Sequence, residues 1–174
     1  QEYALGKLDI HEFLNFALQP LASNDAEMLK SLHQEFMEKH IKPIMTRRGK
    51  DLIAKHRREG DHTVIITATN SFVTGPIAQA FGVDDLIATE PEILDGEYTG
   101  KVKGIPCFQQ GKIERLHAWL AETKIEFDNS WFYSDSHNDL PLLESVAHPI
   151  AVDPDDQLRA IATERGWPIT SFRS

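Results

Sequence analysis

Two acidic residues and an amide follow a short aromatic segment in the second half of the chain. Asp135, Asn138 and Asp139 come soon after the segment Ser130 to Tyr133, which is typical of a strand. If a helix begins here, the spacing of four between the aspartates places both carboxylates on one helix face. Clustered oxygen ligands suit Mg²⁺, with water and a substrate phosphate completing an octahedron. The alternative is that these residues only cap the helix, because acidic groups favour its N-terminal dipole.

A second polar segment follows the most apolar stretch of the chain. The β-branched run at residues 63–66 predicts a buried parallel strand, and the sequence Thr-Ala-Thr-Asn at residues 67–70 comes directly after it. A hydroxyl group and free backbone N–H groups at the start of a helix can bind a phosphate group. The alternative is that a threonine or the asparagine merely caps the helix that follows.

Lys112 follows Gly111 and lies in the first turn of a helix predicted over residues 112–121. A cation in the first helical turn is unfavourable because the helix dipole is positive there. A bound anion or paired carboxylates would compensate for it. The alternative is an ordinary surface lysine.

The pattern of the chain changes near residue 60 and predicts which elements hold these segments. Residues 1–58 show helical periodicity throughout. From residue 63 onward, short apolar strands alternate with helices, which indicates an α/β fold with a doubly wound parallel sheet. Ligands of such sheets bind beyond the carboxyl ends of the strands. All three polar segments are predicted to lie at strand ends or helix starts.

Composition excludes several classes of partner. The 174 residues carry a net charge of −9, so a general electrostatic attraction to nucleic acid or to an anionic membrane is not expected. There is no apolar run of spanning length. The single cysteine, Cys107, cannot form an internal disulfide, which favours a reducing compartment such as the cytoplasm. The eight histidines show no spacing typical of zinc ligands, and no glycine-rich phosphate loop is present.

The order of the three segments resembles the haloacid dehalogenase superfamily, and most of all its phosphoserine-phosphatase-like members. Residues 64–69 are similar to the second motif of that family, and Gly111-Lys112 is similar to the third. The run Ser-Asp-Ser-His-Asn-Asp-Leu-Pro-Leu-Leu at residues 134–143 is a strong likeness of the fourth. The resemblance implies a Rossmann-like three-layer α/β core over residues 59–174 and a helical cap over residues 1–58.

The resemblance also implies which residues bind the phosphate group of a small phosphorylated metabolite. Thr67 and the backbone amide of Ala68 would hold phosphate oxygens. Lys112 would neutralise charge on the nucleophile and the phosphate, and Asn138 would assist in binding. Phosphoryl transfer depends mainly on positioning and charge neutralisation, which agrees with these residue types.

The implied reaction is Mg²⁺-dependent hydrolysis of a phosphomonoester through an aspartyl-phosphate. Asp135 would bind Mg²⁺, and Asp139 would orient Lys112 or the waters of the metal. In the family, an aspartate attacks phosphorus and a second aspartate, two residues later, serves as acid and base.

The chain departs from the family pattern at its first motif, Asp-x-Asp-x-Thr, which does not occur in this sequence. The motif belongs to the first strand, which would be central in the sheet, so we expect the parent protein to begin several tens of residues earlier. Thr-Ala-Thr at residues 67–69 replaces the Ser-Gly-Gly of phosphoserine phosphatase, and Ser136 replaces a glycine. These differences argue against phosphoserine as the substrate.

Two other functions are compatible with the sequence. The missing nucleophile would also fit a non-catalytic module that binds phosphate or Mg²⁺. A nucleotide-binding α/β domain of another kind is less well supported, because the chain has no glycine-rich loop.

Overall fold

A computed structural model describes residues 10–173 of the chain. The contacts divide the chain into two compact units. The first unit takes the described residues up to Met45 together with Lys50–Phe108, and the second takes Thr46–Gly49 together with the residues from Gln109 onward. None of the helices in the described range combines the length and the apolar character that crossing a bilayer requires.

The first part of the chain is helical, as its periodicity predicts. Helix α1 covers Ile10–Ala22 and α2 covers Ala26–Phe36, where Asp25 caps the first turn by accepting a hydrogen bond from the Met28 amide at 2.8 Å. Helix α2 continues into a π-helical turn (Met37–Ile41) and then a 3₁₀ turn (Lys42–Ile44). The 3₁₀ turn contains Pro43, which cannot continue a regular α-helix because it has no backbone N–H group. Helix α3 follows at Arg47–Glu59.

Helix α1 packs on a β-hairpin made of β3 (Pro91–Leu94) and β4 (Glu97–Val102). Asp95 and Gly96 form its turn, both with positive φ, as the Asp-Gly sequence predicts. A small core shared by α1, α2, α4 (Ser71–Phe81) and the hairpin consists of three leucines with aromatic and aliphatic neighbours: Leu18, Leu21, Leu29, Phe72, Tyr98 and Val102. Gly100 lets the elements approach closely, because a Cβ there would lie 2.9 Å from the Gln19 side chain.

The first unit also contains a parallel pair of strands, β1 (Val64–Asn70) and β2 (Asp85–Thr89), joined by α4 (Ser71–Phe81). Helix α4 ends at Gly82 in the left-handed conformation, which glycine adopts readily. The prediction of a buried strand is wrong for residues 64–66, which are only partly buried. The reason is that, within residues 10–173, β1 pairs with β2 on one edge and with no other strand.

The second unit is a parallel three-stranded sheet with helices. Helix α5 (Gln110–Thr123) precedes β5 (Trp131–Ser134), α6 (Leu140–Leu143), β6 (His148–Val152), α7 (Asp156–Arg165) and β7 (Ile169–Thr170). The strand order is β5-β6-β7, and every pairing is parallel. Its core holds four residues with no exposed surface: Leu143, Ala151, Leu158 and Ala162. The alternation of parallel strands and helices confirms the predicted α/β fold class.

The starts of β1 and β2 are held together by a carboxylate. Asp84 accepts hydrogen bonds from the Thr63 hydroxyl at 2.7 Å and from the Thr63 amide at 2.9 Å. The Arg57 guanidinium lies 3.6 Å from the same side chain and ties the end of α3 to this turn. The Thr63 hydroxyl and amide lower the pKa of Asp84 below its ordinary value of 3.8, and Arg57 adds to this.

We predict that the hydrogen-bonded carboxylate of Asp84 makes a pH-dependent contribution to stability. Because the pKa of Asp84 is lower in the folded protein, the stabilisation is present above about pH 4 and is lost as the pH falls through the folded value. Asp84→Ala should lower the free energy of unfolding at pH 7 by about 0.5–1 kcal/mol, the modest value expected of a partly exposed group. Urea denaturation at pH 7 and pH 3 should show this difference shrinking at the lower pH.

The exposed Asp128 provides the matched control, and Asp128→Ala should change stability little at either pH. An Asp84→Ala deficit that is equal at both pH values would contradict the role of the ionised carboxylate.

Candidate active site

A buried ion pair lies at the centre of the polar residues in the second unit. The ammonium group of Lys112 donates to Oδ1 of Asp139, and only 9% and 11% of the two side chains is exposed. Lys112 lies in the first turn of α5, where the helix dipole disfavours a cation. The Asp139 carboxylate supplies the compensation that the sequence required. The alternative of a surface lysine is therefore wrong.

The second oxygen of Asp139 is also occupied, because the buried hydroxyl of Ser134 donates to it at 2.7 Å. Asp135, in contrast, is exposed at the carboxyl end of β5. The chain passes from Asp135 through a 3₁₀ turn (His137–Asp139) before α6 begins at Leu140. The expectation that both carboxylates share one helix face is therefore wrong, and the two acids have different surroundings.

Asn138 joins the beginning of α5 to the loop after β5. Its side-chain oxygen accepts a hydrogen bond from the Gln109 amide group at 3.2 Å, and its backbone amide donates to the Ser136 hydroxyl, also at 3.2 Å. Gln109 has φ 45° and ψ −116°, a conformation that residues other than glycine rarely adopt. Its carbonyl oxygen accepts from the Lys112 amide at 3.1 Å. Strained backbone of this kind concentrates at functional sites.

A second carboxylate fixes the same loop from the end of β6. Asp155 accepts hydrogen bonds from the backbone amide of His137 at 2.9 Å and from its ring Nδ1 at 2.8 Å. Its other oxygen caps α7 by accepting from the Leu158 amide. Burial raises the pKa of Asp155, but the hydrogen bonds from Leu158 and His137 outweigh it, so this pKa lies below 3.8.

The predicted phosphate-binding segment lies at the carboxyl end of β1 in the first unit. The regular pairing with β2 is interrupted between Ile66 and Asn70, so Thr67 and Ala68 lie where the strand becomes irregular. The Thr67 hydroxyl accepts from the Thr69 amide at 3.2 Å, and the carbonyl of Ala68 is held by the buried Thr89 hydroxyl at 2.8 Å. Asn70 caps α4 through the Val73 amide, so the capping interpretation is correct for Asn70.

One further group of possible metal ligands occurs among the described residues. Ligand atoms of His56, Glu59 and Asp61 all lie within 4.8 Å of one another at the end of α3. His56 Nδ1 and Asp61 Oδ2 are 2.7 Å apart, and the Asp61 amide donates to the His56 carbonyl. These two contacts close the end of the helix and account for the proximity of His56 and Asp61.

Comparison with known proteins identifies the family. The sequence profile of the haloacid dehalogenase-like hydrolases matches residues 2–144. A protein of Neisseria meningitidis named histidinol-phosphatase is 43% identical over 99% of this chain and 80% of its own length. The chain belongs to the haloacid dehalogenase-like hydrolases. The predicted membership of this family is thereby confirmed.

Two solved structures support the haloacid dehalogenase fold. A Bordetella pertussis protein of unknown function is 45% identical and superposes with a TM-score of 0.92 over 97% of this chain and 77% of its own. A substrate-bound phosphoserine phosphatase, 21% identical, has a TM-score of 0.67 over 99% of this chain and 76% of its own, which shows likeness of fold alone. The chain spans about half the length of several other curated relatives that it matches.

The structure brings some of the predicted site residues together. Lys112, Asn138 and Asp139 lie in one hydrogen-bonded group, with Asp135 in the same loop, whereas Thr67 and Ala68 belong to the other compact unit. Their roles in binding and catalysis stay predictions. The predicted site residues do not include Ser134 and Asp155, although a serine at the strand end and an acidic run at residues 153–156 are visible in the sequence.

The buried pair predicts strong coupling between Lys112 and Asp139. Lys112→Met and Asp139→Asn should each lower the free energy of unfolding by about 3 kcal/mol, because each leaves the other group buried without its partner. The double variant should cost less than the sum of the two by about 1 kcal/mol or more. Urea denaturation of the four proteins measures this coupling.

The exposed pair of Glu35 on α2 and Lys39 in the π-helical turn after it is the matched control, since its members also form a salt bridge but are 56% and 65% exposed. Glu35→Gln and Lys39→Met should couple by at most about 0.5 kcal/mol. Equal coupling in the two cycles would contradict a special role for the buried pair.

Proposed function

We propose that this chain carries the phosphate- and metal-binding residues of a Mg²⁺-dependent phosphatase that hydrolyses a small phosphomonoester through an aspartyl-phosphate. The observation that carries the proposal is the division of roles at the carboxyl end of β5. Asp139 is engaged by Lys112 and Ser134, while Asp135 is exposed in the same loop. One acid positions the cationic group, and the other is left for a metal ion.

The residues present fit Mg²⁺. A carboxylate is the ligand type that this hard cation prefers, and one or two protein carboxylates with water and substrate oxygens are its usual set. Asp135 would hold the ion, because both oxygens of Asp139 already accept hydrogen bonds. The bound ion would supply positive charge that stabilises the phosphate oxygens during transfer.

The phosphate itself would be bound by Thr67 and Ala68 at the end of β1 and by Lys112 and Asn138. The Thr67 hydroxyl and the Ala68 amide lie where β1 departs from regular pairing, which is the kind of place where backbone groups become accessible to a ligand. Lys112 would neutralise negative charge on the phosphate and on the attacking carboxylate while Asp139 keeps its ammonium group in position. Asn138, held by Gln109, would contribute an amide group.

For the substrate we propose histidinol phosphate as the first compound to test. Support comes from the 43% identical relative that is named histidinol-phosphatase and is covered over 80% of its length. Phosphoserine is less well supported, because Thr67, Ala68 and Thr69 differ from the Ser-Gly-Gly of phosphoserine phosphatase. A non-catalytic module that binds phosphate and Mg²⁺ is the second candidate, motivated by the absence of Asp-x-Asp-x-Thr from these residues.

Asp135→Asn tests the proposed metal ligand in the protein as its gene encodes it. Phosphate release from histidinol phosphate, phosphoserine and p-nitrophenyl phosphate would be measured with MgCl₂ and with EDTA. The wild type should require Mg²⁺, and Asp135→Asn should lower kcat/KM at least about 100-fold, since a metal ion contributes several kcal/mol to such reactions.

Asp95→Asn is the matched control, because Asp95 is an exposed aspartate in a hairpin turn that asparagine also tolerates. It should leave both activity and Mg²⁺ dependence unchanged. Phosphate release that is insensitive to EDTA and to Asp135→Asn would refute the proposal. Mg²⁺ binding without turnover of any of the three compounds would favour the non-catalytic module.

A further inference from the structure

One residue outside the recognised motifs makes several hydrogen bonds to the loop that carries Asp135. The backbone amide of Asp155 donates to the carbonyl oxygen of Asp135 at 2.8 Å. The Asp155 side chain accepts from both the amide and the ring of His137, two residues further along the loop. Asp155 thus contacts the backbone on both sides of Ser136.

The position of Asp155 is itself fixed by its surroundings. Strands β5 and β6 are paired in register up to Ser134 and Ala151, so the two loops leave the sheet side by side. The preceding Pro154 is buried, and proline restricts the backbone to one φ value. The second carboxylate oxygen of Asp155 caps α7 through the Leu158 amide. One oxygen of Asp155 therefore binds the start of α7, and the other binds the loop at His137.

We infer that Asp155, through His137, is a positioning residue for the metal-binding carboxylate of Asp135. The inference rests on the proposed function, since it takes Asp135 as the Mg²⁺ ligand. Residues that orient a metal ligand typically contribute a factor of about 10–100 to metal affinity or activity. His137 follows Asp135 by two residues and contacts the Asp155 carboxylate through its ring. Its side chain is only 18% exposed, so the ring cannot easily exchange the contact with Asp155 for water.

Asp155→Asn separates this role from helix capping. Asparagine keeps one oxygen for the Leu158 amide and is as good an N-cap as aspartate. Its NH₂ group replaces the oxygen that faces His137, and it cannot accept a hydrogen bond from either N–H group there. The matched control is Asp25→Asn, which makes the same change at the N-cap of α2, where the side chain accepts from the Met28 amide.

The experiment uses the protein as its gene encodes it and has two readouts. Isothermal titration with MgCl₂ measures the dissociation constant without substrate, and phosphate release at increasing MgCl₂ measures the half-saturating concentration. Asp155→Asn should raise both values about 10-fold or more, with kcat at saturating Mg²⁺ unchanged. Asp25→Asn should change neither.

Wild-type Mg²⁺ affinity in Asp155→Asn, alongside lost Mg²⁺ binding in Asp135→Asn, would overturn the positioning role and leave the proposed function intact. A fall in melting temperature with equal loss of kcat and Mg²⁺ affinity would also overturn it, because that pattern indicates a general structural defect. If the wild type itself neither binds Mg²⁺ nor requires it, the proposed function fails, and the inference fails with it.

Discussion

The buried contact between Lys112 and Asp139 is the interaction on which the rest of the candidate site depends. Removing two opposite charges from water is costly, and their attraction repays that cost only when the geometry is good and the remaining atoms are hydrogen-bonded. Ser134 meets this condition by donating to the free oxygen of Asp139. Because Asp139 is committed in this way, we propose Asp135, the exposed acid of the same loop, as the metal ligand.

Parallel strand pairing determines where these groups lie. Strands β5 and β6 end next to each other, so the loop of Asp135 and the turn of Asp155 meet at one edge of the sheet. The beginning of α5 joins the same group through the hydrogen bond between Gln109 and Asn138. In a fold of this kind, short polar segments from distant parts of the sequence meet at the carboxyl ends of the strands. No single segment has to form a pocket by itself.

Much of the fold could be predicted from sequence because its local signals are strong. The Asp-Gly turn, the Gly82 helix end and the Asp25 cap are each determined by a few neighbouring residues. The lysine in a first helical turn also indicated a bound anion or paired carboxylates, although it did not identify Asp139. Long-range consequences were harder to predict. The partial exposure of β1 depends on its strand neighbours, and the contact of Asp155 with His137 joins residues 18 positions apart.

The most direct test of the central claim is the position of a metal ion in crystals of the protein as its gene encodes it. Mn²⁺ can replace Mg²⁺ at oxygen ligands and is located by its anomalous scattering. We expect an anomalous peak at the Asp135 carboxylate, with Asp139 still in contact with Lys112 and Ser134. A peak bound by Asp139, or one found only at His56, Glu59 and Asp61, would contradict it.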